Sequence, residues 1–298
     1  MLFALQHVAL LSCALTNVPP HLVPPPSYSP LDEVVYAIHK PRNVLSAVGE
    51  DGAIGRSGKP TGHPTLTDIM LSAGVEPLPG HVGRLDVDTS GLILVTSDTL
   101  LLRACLNWPG VLDAFGGSPL TKRYSLLLAG RHEVGSPSLD ALGAPLEFAR
   151  GGNAYRASAA EAVEHGGCFV DTALASGEAA LLDRHDFEQV ERMRERLRAK
   201  RERPTISRAT GRVVPPYVPH DGWLTRVELV LTQGRHHQVR RLVRKAGLQL
   251  LHLRRVAVGP IALGEDAAPG DVRMLGRDEK RALYTVCLPR LLARADNE

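Results

Sequence analysis

The 298-residue chain has no lysine or arginine before Lys40. Residues 1–15 are apolar and residues 19–30 are rich in proline. The basic start of a secretory leader and the arginines of a mitochondrial leader are both missing. Residues 1–30 are therefore read as an N-terminal extension, either disordered, docked or a targeting segment of a cytoplasmic or organellar protein. Proline excludes a regular helix or central strand there, so the folded domain is expected to begin near residue 31. The four cysteines are scattered and form no C-x-x-C pair, which excludes a zinc ribbon and a thioredoxin-like motif. No apolar run approaches the ~20 residues that cross a bilayer. The glycine-rich fingerprints of dinucleotide and nucleoside triphosphate sites are absent too. Aromatic residues make up only 4%, so Leu, Val and Ala must fill the interior.

What is present describes a folded chain. Hydrophobic residues are 44% and charged residues 22%, the balance of a globular protein. The length supplies one large domain or two ordinary ones. A net charge of +3 says little about partners, whereas its distribution says more. Apolar runs predict strands over 34–39, 92–96, 124–128, 224–231 and 249–258. Helices are expected over 66–73, ended by Gly74, over 100–106, capped by Ser97 or Asp98, and over 238–246, closed by Gly247. Residues 51–64 read as a loop. From 131 to 222 the pattern weakens. Strands are expected near 155–159 and 169–173. A polar helix over 186–203 is expected as a solvated insertion or an RNA-contacting arm, stopped by Pro204. Strands and helices alternate without a repeat, which predicts an α+β fold with a mixed sheet.

Residues 83–91 read Gly-Arg-Leu-Asp-Val-Asp-Thr-Ser-Gly and lead directly into Leu92-Ile93-Leu94-Val95-Thr96. Two carboxylates and one arginine lie between glycines that permit turns other residues resist. A polar loop anchored by a buried strand can hold a carboxylate in one place, as chemistry requires. The same residues also suit an Asx-turn-rich loop in which Asp86 and Asp88 cap backbone groups. The residues alone leave both readings open.

Residues 234–255 carry seven cations, Arg235, Arg240, Arg241, Arg244, Lys245, Arg254 and Arg255, and no acid. On the predicted helix Val239, Leu242, Val243 and Ala246 recur at i, i+3, i+4 and i+7 and form a buried stripe. Arg240 and Arg244 share one flank, Arg241 and Lys245 another. An acid-free basic face points to the phosphates of RNA, with a solvated basic surface as the plainer alternative. The N-terminal backbone N–H groups of this helix also favour an anion. His236 and His237 are adjacent and need not converge on one ion, so no metal is expected.

The string GRLDVDTSGLILVTSD resembles the signature of the RsuA-type pseudouridine synthases, which modify ribosomal RNA. Three further segments are similar, in the family's order. VVYAIHKPRNVLS resembles its opening strand and Lys-Pro turn, and LTKRYSLLLAG its Lys-x-Tyr strand. LTQGRHHQVRRLVRKAGLQLLHLRRVAVGPIAL resembles its closing motif. The resemblance covers roughly residues 31–291, with a poorly matched middle. It implies the pseudouridine synthase fold: a mixed, largely antiparallel sheet in two halves flanked by helices, with the active-site cleft between the halves. The catalytic domain is expected over 31–291, with a variable insertion around 131–222 and a tail over 292–298. The small RNA-binding domain that many relatives carry before the catalytic one is expected to be absent. The implied activity is isomerisation of uridine to pseudouridine in RNA, with ribosomal RNA favoured. No cofactor, no metal and no membrane are expected, and the protein is expected to be a monomer.

By the resemblance Asp86 is the catalytic residue at the sugar, Tyr124 the aromatic that stacks on the base, and Arg240 the basic partner of the carboxylate. A guanidinium beside a carboxylate fixes it by a two-point contact; the alternative for Arg240 is one phosphate contact among several. Arg84 would fill the gap left by a flipped nucleotide, or else contact a phosphate or an ion-pair partner. Lys122 is expected against the RNA backbone, with Arg235, Arg241, Arg244 and Lys245 as further RNA-binding cations. Asp88 is read as a loop cap rather than a second catalyst. Asn43 stands where the family often has Gly, and Gln233 where Glu is frequent. The alternative is a non-catalytic RNA-binding or ribosome-assembly protein on the same fold. Asp86 argues against it, because a carboxylate in a basic groove repels phosphate.

Overall fold

A computed structural model describes residues 18–25, 27–49, 62–130, 132–133, 135–143, 147–150, 153–156, 161–169, 205–206, 213–214 and 223–295. The helix expected over 186–203 lies outside the described residues. So do residues 1–17 of the extension and most of the loop expected over 51–64.

The strands are β1 (Val35–Lys40), β2 (Gly80–His81), β3 (Ser90–Thr96), β4 (Lys122–Ala129), β5 (Glu147–Arg150), β6 (Asn153–Arg156), β7 (Glu161–Phe169), β8 (Thr205–Ile206), β9 (Val213–Val214), β10 (Trp223–Leu231), β11 (Leu250–Val258), β12 (Ile261–Ala262) and β13 (Val272–Met274). The helices are α1 (Leu66–Ser72), α2 (Thr99–Cys105), α3 (Val111–Phe115), α4 (Pro137–Gly143), α5 (Gln238–Lys245), α6 (Arg277–Cys287) and α7 (Pro289–Ala295). The chain forms two compact units. One comprises Met1–Tyr124, Val230–His236 and Arg254–Glu298, the other Ser125–Leu229 and His237–Leu253.

In the first unit the strand order is β13-β1-β3-β11. β1 pairs antiparallel with β3, from Val35 opposite Thr96 to Lys40 opposite Gly91, and antiparallel with β13. β11 joins β3 in parallel, with Arg254 opposite Ser90 and Arg255 opposite Gly91. The short strands β2 and β12 add antiparallel pairs to β3 and β11. The sheet is mixed and largely antiparallel, as expected.

β3 is buried along its whole length. Successive side chains point to opposite faces of a strand. Leu92 and Leu94 accordingly join one apolar cluster, with Val35, Leu101, Phe115, Leu283 and Leu291. Ile93 and Val95 join another, with Ile38, Leu66 and Met70. Helices therefore cover both faces: α2, α3, α6 and α7 supply the first cluster and α1 the second. Each such side chain stabilises the fold by about 1.5–3 kcal/mol. α1 starts on a capping box in which Thr65 N donates to Asp68 Oδ2 at 2.7 Å and Asp68 N donates to Thr65 Oγ1 at 3.4 Å. Asp98 caps α2, its Oδ1 accepting from Leu100 N at 2.8 Å and Leu101 N at 3.1 Å.

Packing begins before residue 31. Val18 and Leu22 are buried in the larger cluster, and Tyr28 Oη donates to Asp98 Oδ2 at 2.5 Å. The Tyr284 hydroxyl donates to the same oxygen. Burial and the Asp98 carboxylate hold both phenols far above their ordinary pKa. Apolar contact and this shared acceptor tie the described part of the extension to the core. Packing also runs past residue 291: α7 ends at Ala295 with Leu291 and Leu292 buried.

Residues 125–129 of β4 and 223–229 of β10 belong with β7 to the second unit, in the strand order β4-β10-β7. The hairpins β5-β6 and β8-β9 form separate two-stranded sheets. α5 packs against α4 and buries Val239, Leu242 and Val243, which is the predicted stripe. Gly247, with φ of 72°, follows the C-cap Ala246. Among the described residues no helix is long and apolar enough to cross a membrane.

Candidate active site

Residues 82–89 connect β2 to β3 and carry Arg84, Asp86 and Asp88. Arg84 is exposed, and the two aspartates are half-buried. The loop backbone is tied at several points. Val82 N donates to Leu94 O at 2.8 Å, and Thr89 N donates to Asp86 O at 3.0 Å. Ser46, buried, serves Leu85 twice. Its Oγ accepts from Leu85 N at 2.9 Å and donates to Leu85 O at 2.8 Å. Asn43 N donates to Val87 O at 2.7 Å. Asn43 has a φ of 63°, a left-handed backbone that Asn tolerates better than most residues. That accounts for Asn at this position.

Lys40 ends β1 and is fully buried. Its Nζ donates to Pro41 O and Val44 O, each at 2.8 Å, and to Val87 O at 3.5 Å. Burial pushes its pKa down to about 7 against the attraction of Asp88 and Asp86, while Arg255 and Arg42 add to the depression. His81 Nδ1 lies 2.8 Å from Gly83 O. Burial lowers its pKa, and Arg84 and Arg255 repel the imidazolium. The carbonyl can only accept, so the neutral ring carries its proton on Nδ1.

Arg255, on β11, is 1% exposed. Its Nε donates to Leu92 O at 2.7 Å and its Nη2 to Val82 O at 3.4 Å. Lys122 and Tyr124 share the buried face of β4, at 5% and 7% exposure, and Arg123 between them is exposed. Lys122 Nζ donates to Leu120 O at 3.3 Å. Burial lowers its pKa and Arg255 adds to that, while Cys105 and Cys287 act in the opposite direction.

The first unit thus brings Arg84, Asp86, Lys122 and Tyr124 into one body, and the exposed Arg235 belongs to it as well. Arg240 and Arg241, half-buried, and Arg244 and Lys245, exposed, lie on α5 in the second unit. Sequence reasoning missed Lys40, Ser46 and His81, and counted Arg255 only as one of seven cations. A signal for Arg255 exists. Alternation from the buried Leu253 puts it in the inward register of β11, where a cation is out of place unless it is used.

A family model described as RNA pseudouridylate synthase matches residues 34–245. The chain belongs to this family. The matched span holds β1, the 82–89 loop, β4 and α5, and the sheet with its flanking helices is a pseudouridine synthase fold. The ribosomal small subunit pseudouridine synthase A of Yersinia pestis is 41% identical over 54 residues, 18% of this chain and 23% of that protein. An uncharacterized RNA pseudouridine synthase of Mycobacterium leprae (strain TN) is 27% identical over 256 residues, 85% of this chain and 70% of that protein. The match to the Yersinia pestis protein therefore spans less than a quarter of its length. A solved pseudouridylate synthase is similar with a TM-score of 0.48 and 18% identity, covering 85% of this chain and 74% of that one.

Proposed function

We propose that the protein isomerises uridine to pseudouridine in RNA, with ribosomal RNA as substrate and Asp86 as the essential carboxylate. The observation that carries this reading is the tied loop. In a chain of the RNA pseudouridylate synthase family, a half-buried carboxylate stands on a backbone held by Ser46, Asn43, Lys40 and Arg255. A capping role alone would not require so much fixation from remote segments. Local identity to a small-subunit enzyme supports ribosomal RNA and the RsuA-type subgroup.

The reaction adds and removes nothing. The bond from C1′ to N1 breaks, the base turns, and a bond from C1′ to C5 forms. The C5 proton leaves to solvent and N1 gains one. Asp86 acts at the sugar, where fixed geometry lowers the cost of bringing the reacting atoms together. Tyr124 stacks on the base. Tyr124 and Lys122 are buried, so a nucleotide meets them only when the uridine is drawn out of its stack and into the protein. Arg84, exposed on the same loop as Asp86, fills the gap left behind. By the resemblance, Arg240 is the basic residue of the reaction. Arg235, Arg241, Arg244 and Lys245 contact phosphates.

The test is pseudouridine mapping of total RNA from cells lacking the protein, complemented with wild type or with Asp86→Asn. A ribosomal uridine that is converted only with wild type is the expected outcome. Conversion by Asp86→Asn would refute the assignment of the carboxylate. The absence of any wild-type-dependent site would favour a non-catalytic RNA-binding protein.

A further inference from the structure

We propose that Arg255 is a positioning residue: its buried guanidinium clasps both ends of the loop that carries Asp86 and sets where that carboxylate stands. The proposal rests on the reading of Asp86 as the reacting group.

The argument starts in the sheet. Arg255 lies opposite Gly91 where β3 and β11 run side by side. From there its side chain reaches Leu92 O at 2.7 Å and Val82 O at 3.4 Å. Val82 immediately precedes residues 83–91 and Leu92 immediately follows them. One side chain therefore joins the carbonyl of the loop's first residue to a carbonyl on β3 just past its end. A third nitrogen faces the start of the loop: a Cβ on Gly83 would lie 3.6 Å from Arg255 Nη1.

Arginine suits this task for a chemical reason. Its planar fork directs several N–H donors along fixed, divergent lines, whereas a lysine is a single flexible point. Taking a cation out of water costs several kcal/mol unless it is well paired. Among the described residues, the hydrogen bonds of this guanidinium go to backbone carbonyls. An aliphatic side chain would fill an inward-facing register of β11 without that cost. The retained charge is accounted for by what it does to the loop. It holds both ends, and it places a positive field beneath a segment with two aspartates. The same field adds to the lowered pKa of Lys40, His81 and Lys122, which shows how far it reaches.

The test compares the purified full-length wild type with Arg255→Met, Arg255→Lys, Asp86→Asn and Lys280→Met. The readouts are single-turnover conversion of a ribosomal RNA transcript, RNA affinity, and amide exchange. Lys280 is a second buried cation of the same unit whose amine donates to Leu31 O and Glu33 O, away from the loop. It controls for general loss of stability. Arg255→Met is expected to lower the single-turnover rate by ~100-fold, the scale of a displaced reacting group, with RNA affinity changed by less than about threefold. Arg255→Lys should recover part of the rate. Lys280→Met should keep the wild-type rate per folded molecule. The amides of Leu85 and Thr89 should lose protection in Arg255→Met but not in Lys280→Met.

Wild-type rate and protection in Arg255→Met would overturn the proposal. A rate loss matched by Lys280→Met would also overturn it, because the role would then be merely structural. If wild type itself makes no pseudouridine, the functional reading fails. The exchange measurement then still decides the clasp: lost protection supports it and unchanged protection overturns it.

Discussion

A Cβ on Gly91 would stand 2.3 Å from the carbonyl oxygen of Arg255 and 2.6 Å from its nitrogen. Gly91 also has a φ of 112°, where side chains are strained. Gly91→Ala is therefore expected to force β3 and β11 apart and to destabilise the protein by about 3 kcal/mol or more. Gly247→Ala provides the comparison. Its φ is 72° but nothing lies within 4 Å of its Cβ, so the cost is expected to be about 1 kcal/mol. Urea denaturation of the two variants measures the difference. Equal losses would mean that the strand spacing relaxes freely and that the close approach is not a constraint.

Lys40 gives the protein a pH dependence of definite sign. Its pKa falls from an ordinary 10.5 to about 7 in the folded chain. Between those values the unfolded chain holds a proton that the folded chain has released. Stability therefore rises with pH across that window, and below it the cost of the buried charge is carried in full. Lys40→Met removes this contribution. The stability of wild type relative to Lys40→Met should increase steadily from about pH 7 to pH 10, measured as urea midpoints. A flat difference would show that Lys40 titrates as an ordinary lysine.

Part of this fold is legible in the sequence and part is not. β3, β11 and α5 were readable because a two-sided apolar run and an i, i+3, i+4, i+7 stripe are local patterns. α6 was not. Its buried stripe is Lys280, Leu283, Tyr284 and Cys287, and a lysine in the first place hides the period. That lysine is buried because its amine finds the carbonyls of Leu31 and Glu33, which no local pattern announces. α3 is five residues long and starts from the left-handed Gly110, too short for periodicity to register. The docking of Tyr28 on Asp98 joins residues 70 apart in sequence. The candidate site divides in the same way. The loop itself is a contiguous string and was legible by its resemblance. Its holders are remote, Ser46 by 39 positions from Leu85 and Arg255 by 173 from Val82.

Ser46 offers a direct check on the loop's fixation. Its hydroxyl is both donor and acceptor for Leu85, and Leu85 is 5% exposed. Ser46→Ala leaves a buried N–H and a buried carbonyl without that partner. Such losses cost about 1–3 kcal/mol. The expected outcome is destabilisation in that range together with slower conversion at unchanged RNA affinity. A stable variant with a slow rate would separate loop position from global stability, whereas an unchanged rate would show that Arg255 and Lys40 suffice to hold the loop.

The basic face of α5 yields a prediction independent of Asp86. Arg244 and Lys245 are exposed in its last turn. Glutamine has a similar helix propensity, so Arg244→Gln/Lys245→Gln should keep the helix. The loss is limited to a favourable interaction of cations with the C-terminal end, about 0.3–1 kcal/mol each. RNA binding should weaken across sequences. The slope of log affinity against log salt should shrink by about 1.4, because each single-strand phosphate contact contributes roughly 0.7. Titrations at several salt concentrations measure it. Asp86→Asn, by contrast, should leave the slope unchanged, since a carboxylate releases no counterions from RNA. If the double variant also leaves it unchanged, the face is a solvated surface. Phosphate contact would then fall to Arg235 and to the cations nearer the start of the helix.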